Sequence, residues 1–332
     1  MKSTVIGYAI ALGVALVGAY QTWTHEGDPD LSEATVIFDV QRDALSRVVF
    51  DSPSSTLTLE MREDEQGAFV WGHALPKEPP AQGETPAPRR NREPESFKLG
   101  AAGETLVGNL APFVAKRVLE GVDESKLQEL GFGDGQATIA FEREGRDAEV
   151  YEVAAKVYGG RTRYVRDPAS GTVYVVAANV VQQLETGRTT LPDRSLFGFD
   201  VTDIETITVR GGEAEAAYRQ NNPDDRAARF WSAAGSSEPN AAAAGWFDKA
   251  LNLRIARYIE PADKPAGLEE AFSMVLTAGR RATEIVVYRG LGDDGEERWY
   301  ASSPHNRALV QLNTSAAAET YADLASALDG GA

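Results

Sequence analysis

The chain of 332 residues contains no cysteine. Without thiols it cannot form disulfides, iron–sulfur clusters or zinc ribbons, and it cannot be acylated as a lipoprotein or use a thiol in catalysis. Basic residues are also in the minority, since 33 Lys and Arg stand against 50 Asp and Glu, a formal net charge of −17. Phosphate binding needs clustered Lys and Arg, so this balance argues against nucleic acid as a partner and disfavours adhesion to anionic lipid.

Sequence signatures of catalysis and cofactor binding are missing as well. The chain has no GxSxG, HExxH or GxxxxGK[ST] pattern. Its only histidines, His25, His73 and His305, lie too far apart to ligate a metal from one element. We interpret all three as polar surface residues in loops or at the ends of elements. The sequence therefore predicts no catalytic residue, no cofactor or cofactor-binding residue, and no metal site.

Two local patterns imitate binding motifs. Gly131, Gly133 and Gly135 form GFGDG, but a dinucleotide fingerprint needs a strand, a glycine turn and then a helix, because the pyrophosphate binds at the helix N-terminus. Here the predicted order is helix, glycines, strand, which indicates a helix end followed by a turn. The acidic segment 292–297 (GDDGEE) lacks the alternating oxygen ligands of a calcium loop. Its composition predicts a hairpin turn instead.

An apolar segment without charge lies near the N-terminus, between Lys2 and His25. As a helix, residues 4–23 would extend about 30 Å, the thickness of one hydrocarbon core. We therefore predict that residues 1–24 form a single transmembrane anchor.

The charges on either side of this segment predict its orientation. One lysine precedes it, and Glu26, Asp28 and Asp30 follow it, so the positive-inside tendency places the N-terminus in the cytoplasm. The expected location is the inner (cytoplasmic) membrane, with the rest of the chain extracytoplasmic, in the periplasm. Two alternatives stay open: a signal peptide removed near Ala19, and a buried core helix.

Two parts of the remaining chain resemble each other in the same order. The matches are residues 38–40 with 199–201, 44–50 with 204–209, 70–71 with 230–231, 114–118 with 255–259, 163–165 with 299–301, and 173–175 with 309–311. Their offset falls by about 20 residues after the match of residues 70–71 with 230–231, which indicates an insertion in the first copy. The Pro-rich, charged residues 76–95 are its natural place, because such a composition cannot bury enough surface to fold. We predict a first unit over residues 35–193 and a second over residues 194–328.

Short apolar stretches separated by turn residues predict the fold class. Residues 45–51 and 56–61 read as strands, and residues 104–111 as a helix that Pro112 ends. Strands joined mainly by hairpins, with short helices between them, are typical of an α+β fold with mostly antiparallel sheets. The sequence thus predicts two tandem related α+β units behind one N-terminal transmembrane helix.

Two features of these units are candidates for binding. Trp71 and Trp231 are matched in the two copies, as stacking platforms for a glycan would be. A repeated core residue would match in the same way, and we favour this interpretation because duplication most reliably preserves structural positions. Residues 88–92 (PRRNR) form the one concentrated positive stretch. They are either a contact site for an acidic partner or a solvated loop.

Residues 190–209, TLPDRSLFGFDVTDIETITV, resemble a phrase of bacterial proteins that carry the domain of unknown function 4340. The apolar N-terminal segment, residues 127–132 (LQELGF) and residues 163–165 (RYV) are similar too, and the likeness extends over most of residues 35–328. Proteins of that family tend to accompany ABC-type transport components like those of the gliding-motility auxiliary system. The resemblance supplies no catalytic residues, and the insertion at residues 76–95 departs from it.

These observations together predict a non-enzymatic accessory or scaffold module of an ABC-type transport or envelope complex, anchored in the membrane with an extracytoplasmic body. The expected partner is an integral membrane protein of that complex. One alternative is an envelope glycan hydrolase that uses paired carboxylates, although no local pattern among the 50 acidic residues selects a pair. The other is a secreted glycan-binding protein.

Overall fold

The computed structural model describes residues 35–77, 93–133, 136–156, 161–292 and 294–329. The predicted anchor, residues 1–24, lies outside these ranges, and so does most of the Pro-rich insertion. Among the residues described, no helix has the length and apolar character needed to cross a membrane.

The first half of the chain builds a nine-stranded antiparallel sheet and a separate two-stranded ribbon. The elements are β1 (Thr35–Phe38), β2 (Leu45–Asp51), β3 (Ser55–Asp64), β4 (Gly67–Pro76), β5 (Glu95–Lys98), α1 (Ala101–Leu110), β6 (Phe113–Ala115), β7 (Arg117–Leu119), α2 (Glu124–Glu129), β8 (Ala137–Arg143), β9 (Glu149–Val153), β10 (Thr162–Arg166), β11 (Val173–Ala177), α3 (Ala178–Glu185) and α4 (Gly187–Thr190). The order of strands in the sheet is β5-β4-β3-β2-β8-β9-β10-β11-β7, and β1 pairs with β6.

The second half builds an eight-stranded sheet. Its elements are β12 (Thr206–Gly211), β13 (Ala214–Asn221), β14 (Phe230–Ala233), α5 (Ala241–Ala250), β15 (Ile255–Tyr258), β16 (Glu269–Ala278), β17 (Arg281–Leu291), β18 (Glu297–Ser302), β19 (Val310–Leu312), α6 (Thr314–Ala322) and α7 (Ala325–Leu328). The order is β14-β13-β12-β16-β17-β18-β19-β15, and every pair is antiparallel.

The two sheets follow the same path. In each, three successive hairpin strands form one side, a helix and a short strand intervene, and four further strands complete the other side; the first sheet also has β5 at its edge, next to β4. The helices α1 and α5 bury the same positions of ten, namely the third, sixth, seventh and tenth. This spacing brings one helix face onto the sheet. The prediction of an α+β fold with two units of mostly antiparallel sheet is confirmed.

Alternating burial along the strands creates one core that spans both sheets. Val48 and Phe50 in the first sheet and Ile207 and Val209 in the second are fully buried, while their neighbours in sequence are less so. A smaller cluster lies beneath α2. Because residues of both sheets belong to the larger cluster, we expect the two units to be mechanically coupled.

Several predicted elements differ in extent from those observed. The strand predicted over residues 56–61 is the longer β3, and the helix predicted over residues 104–111 begins three residues earlier and ends at Leu110 as α1. In the second half, Leu251 continues the end of α5, since its N–H donates to Phe247 O at 2.9 Å. Both Leu251 and Leu253 are buried in a turn, which imitates the alternation of a strand.

The proposed match between Trp71 and Trp231 is wrong in register. Trp71 lies opposite Glu60, on the face of the first sheet away from its buried strand residues, and contacts Tyr258 of the second sheet at a ring distance of 5.7 Å. Trp231 lies opposite Gln220 and faces α5, with its ring 5.1 Å from that of Phe247. Both pack on the core as we favoured, but on opposite faces, because a shift of one residue reverses the face of a strand.

Candidate functional site

The segment Leu191–Ser195 carries the chain from the first sheet to the second, and the predicted boundary between residues 193 and 194 lies within it. Leu191 is fully buried, and its carbonyl accepts a hydrogen bond from Gly100 N at 2.8 Å. Pro192 forms a β-bridge with Leu99. The linker thus adds a short pairing next to β5 before it enters the second sheet.

Asp193 in this linker holds a group of five residues that we call the junction cluster. Its Oδ2 lies 3.0 Å from Lys98 Nζ and 2.7 Å from His305 Nε2. Its Oδ1 accepts from Ser195 N at 3.0 Å, and its backbone carbonyl accepts from Tyr258 Oη–H at 3.0 Å. The side chains of Lys98, Asp193 and His305 are only 11%, 14% and 19% exposed, so this is an ion-paired group largely withdrawn from water.

The junction cluster fixes the charge of Asp193. Burial by itself raises the pKa of this carboxyl, but the His305 hydrogen bond, the Lys98 charge and the Ser195 N–H outweigh it and lower the pKa to about 2. Burial, together with the Asp193 charge, raises the pKa of the Tyr258 phenol. At neutral pH the carboxyl is therefore an anion and the phenol a neutral donor.

The loop of residues 303–308, between β18 and β19, contacts both the linker and the first sheet. His305 reaches Asp193, and Asn306 Nδ2 donates to Ser195 O at 2.8 Å. Arg307 Nε donates to Asp64 Oδ2 at 2.9 Å, at the turn between β3 and β4. The same guanidinium lies over the ring of Phe69, 5.2 Å from its centroid. This loop therefore touches both the linker and the first sheet.

The arrangement is suited to holding the two sheets together. The carboxylate of Asp193 is already paired with a cation and hydrogen-bonded to His305. The other side of the imidazole offers no space, because a Cβ added at Gly198 would lie 2.6 Å from His305 Nδ1. A buried, satisfied polar network of this kind specifies one packing of its surroundings.

This close approach makes Gly198 a sensitive position. We expect Gly198→Ala to lower the free energy of unfolding by about 1 to 3 kcal/mol, because the methyl group must displace the His305 ring and strain its bond to Asp193. Urea denaturation followed by far-UV circular dichroism measures the change. Gly133→Ala is the control, since a Cβ there meets no atom within 4 Å. Equal stability of the two variants would contradict the expected contact.

Arg307 gives a second local prediction. We expect Arg307→Ala to accelerate amide hydrogen exchange in residues 62–69 about fivefold, because the β3–β4 turn loses its bonds to the second sheet. Exchange followed by mass spectrometry of peptides measures it. Arg257→Ala is the control, since Arg257 binds Gln311 within the second sheet itself. Unchanged exchange in residues 62–69 would show that Arg307 does not hold the turn.

A groove of about 650 Å³ lies beside this turn, at one side of the first sheet. We call it the edge groove. Its lining residues are Gln41, Arg42, Asp43, Leu45, Ser46, Met61, Arg62, Glu63, Ala68, Phe69 and Val70. Leu45 and Val70 are buried at its floor, and charged side chains are exposed along it. The ring of Phe69, which Arg307 contacts, belongs to the same hairpin but lies on the opposite face of the sheet from Val70.

The structure changes the interpretation of two histidines, whereas His25 lies outside the described residues. His73 is not in a loop or at a strand end, but within β4, where its Nδ1 is 2.6 Å from Ser96 Oγ on the adjacent strand. His305 is in a loop as predicted, but it is a partner of Asp193 and not a simple surface residue. No local pattern joins His305 to Asp193, which is 112 positions away; the phrase LPDRS was the one available signal.

The two segments that resemble binding motifs, the glycines at 131–135 and the acidic segment 292–297, agree with the sequence prediction where the structure describes them. The helix α2 ends before Gly131, whose φ is +90°, and the strand β8 follows; Gly135 lies outside the described residues. Between β17 and β18, Gly292 N donates to Glu296 O at 2.8 Å, as in a hairpin turn; Asp293 lies outside the described residues. In the described ranges, no group of three or more His, Asp or Glu is placed to hold a metal ion. The basic residues 88–92 lie outside those ranges.

Comparison with known proteins gives a family but no individual relative. Neither the curated proteins nor the solved structures provide a match. The family described as "Domain of unknown function (DUF4340)" matches residues 100–271. This match covers just over half of the chain, begins at α1 and ends within β16, so it includes the linker and Asp193. On this basis the chain belongs to the family of the domain of unknown function 4340.

Proposed function

We propose that the protein is a membrane-anchored extracytoplasmic accessory or scaffold module of an ABC-type transport or envelope complex, and that it acts without catalysis. The observation that carries the proposal is the junction cluster, in which the buried charges of Lys98 and Asp193 are engaged in joining two sheets. A two-sheet body fixed in this way is suited to presenting a surface to other proteins. The resemblance of the linker phrase to proteins that accompany ABC-type components supports the choice of complex.

The anchor is residues 1–24, which place the protein in the inner membrane, with the body in the periplasm. The apolar length of this segment and the acidic residues after it support that orientation. The first strand, β1, begins at Thr35, so residues 25–34 connect anchor and body. The partner is an integral membrane protein, whose extracytoplasmic loops the anchored body can reach.

Co-purification from native membranes tests the proposal. The full chain, tagged at its C-terminus and expressed from its own promoter, is extracted in mild detergent and purified. We expect an integral membrane protein to elute with it in a fixed ratio. The control is the same body exported without residues 1–24, which we expect to retain much less partner. Purification of the full chain as a lone species at native expression would overturn the proposal.

An intact-mass measurement of the purified chain tests the anchor separately. We expect the mass to include residues 1–24. A mature N-terminus near Ala19 would mean that the segment is a removed signal peptide and that the body is secreted.

A further inference from the structure

We infer that the edge groove is a docking site for a basic, partly apolar peptide segment of a partner protein. The inference rests on the proposed function, because it names the chemistry by which the scaffold would hold its partner.

The shape of the groove fits a short stretch of polypeptide. It lies between the turn Arg42–Ala44 and the hairpin of β3 and β4. Met61 is partly buried along it, beside the buried Leu45 and Val70. Phe69 is next to Val70 in β4, so its ring lies on the opposite face of the sheet, near Trp71. A volume of about 650 Å³ is enough for two or three side chains, and an apolar floor favours aliphatic ones over a bare ion.

The charges around the groove select the sign of the occupant. Neither arginine of the lining offers a free charge to the groove. Arg42 is paired with Glu104, and Arg62 is paired with Glu60 and lies over the ring of Trp71, on the opposite face of the sheet. Its two carboxylates, Asp43 and Glu63, are exposed and have no ion-pair partner in the described part of the chain. The groove therefore has an excess of negative charge on a protein whose net charge is −17. Charge complementarity favours Lys or Arg in the occupant and disfavours phosphate or anionic lipid.

The position of the groove favours a partner segment as the occupant. The first lining residue, Gln41, comes shortly after β1, where residues 1–34 join the body. An anchored body would thus hold this region near the membrane, within reach of the loops of an integral membrane protein. The hairpin wall is also held from the second sheet, through Arg307 and Phe69, so the groove does not depend on a partner for its shape.

A peptide titration tests the inference with the purified full chain in detergent. The probe is the fluorescein-labelled peptide GKLKVKG, and the acidic peptide GELEVEG is its counterpart. By fluorescence anisotropy at physiological ionic strength, we expect the basic peptide to bind at least tenfold more tightly. We expect the double variant Asp43→Asn/Glu63→Gln to weaken binding at least fivefold.

A matched variant separates docking from general attraction to an acidic protein. Glu144→Gln/Asp147→Asn removes the same charge from the exposed turn between β8 and β9, and we expect it to change affinity less than twofold. Equal weakening by both double variants would overturn the inference. Tighter binding of a peptide of residues 87–93 (APRRNRE) than of GKLKVKG would also overturn it, because the occupant would then be a second copy of this chain.

The co-purification experiment distinguishes this inference from the proposed function. If the wild-type chain retains its membrane partner and Asp43→Asn/Glu63→Gln loses it, the inference is supported. If that variant retains the partner fully, docking in the groove is wrong and the scaffold function stands. If the wild-type chain has no partner, the scaffold function fails, whatever peptide the groove binds, and so does the inference that rests on it.

Discussion

Replacing Asp193 by alanine is expected to lower the free energy of unfolding by about 3 kcal/mol. The change removes the carboxylate that lies 3.0 Å from Lys98 Nζ and 2.7 Å from His305 Nε2. A mostly buried ammonium group then lacks its counter-ion, and the N–H of Ser195 lacks its acceptor. Urea denaturation followed by tryptophan fluorescence and circular dichroism measures the loss.

Two further variants show whether charge or shape is responsible. Asp193→Asn keeps an acceptor for Ser195 N but removes the charge, so we expect it to be nearly as unstable as Asp193→Ala. Glu213→Ala removes an exposed carboxylate from the turn between β12 and β13 and is the control. A loss below 1 kcal/mol in Asp193→Ala would mean that the junction cluster does not hold the sheets together.

The same carboxyl makes a defined contribution to the pH dependence of stability. Its pKa is about 2 in the folded chain, below the ordinary value of 3.8, so the folded state binds this proton less readily than the unfolded state does. The stabilisation is therefore complete above pH 4 and disappears as the pH falls to about 2. We expect Asp193→Asn to lack this part of the acid transition, which denaturation curves between pH 5 and pH 2 would show.

Trp246→Ala is expected to have the largest effect in the core, a loss of about 4 kcal/mol. This side chain is 1% exposed, and its Nε1–H donates to Thr320 O in α6 at 2.8 Å. Its ring packs against those of Phe247 and Phe272 at 5.8 and 5.6 Å. Truncation leaves a cavity between α5, α6 and β16, which cannot be filled without moving the helices. It also leaves the carbonyl of Thr320 without its hydrogen-bond donor. Guanidinium denaturation measures the change.

Leu106 provides the matched variant in the first sheet. It occupies the sixth position of α1, as Trp246 does in α5, and it is fully buried. We expect Leu106→Ala to cost about 3 kcal/mol, since a smaller side chain leaves a smaller cavity. Because one core spans both sheets, both variants are expected to unfold in a single transition. Two transitions, with only one shifted by each variant, would contradict a shared core.

The sequence predicts local structure correctly where the interactions that determine it are only a few residues apart. Asp123 directly precedes α2 and caps it by accepting from Lys126 N at 2.8 Å, as an aspartate at that position commonly does. The strand predicted over residues 45–51 is β2 in full, because a half-buried strand shows its face in its own alternation. The order of matched segments likewise predicted two units, and apart from β5, which only the first sheet contains, the two sheets have the same strand order.

The sequence predictions are wrong where a shift of one residue in strand register changes the face of a side chain, or where the contacting residues are far apart in the sequence. Trp71 and Trp231 look equivalent along the sequence, but strand register sets them on opposite faces. The sequence predicts a surface residue at His305, because nothing near it in the sequence indicates its contact with Asp193. The sequence also could not predict the edge groove, because one wall comes from a turn after β1 and the other from the hairpin of β3 and β4.

The sequence by itself determined the α+β class, the repeated order of elements, the helix cap of α2 and the apolar N-terminal segment. All of these depend on composition or on periodicity within one element. Tertiary structure alone decided that Lys98, Asp193 and His305 meet, and that Asp43 and Glu63 line one groove beside Phe69. Such meetings depend on how two sheets pack and on strand register, and the free energy that selects them is summed over a shared core rather than expressed in any short stretch of residues.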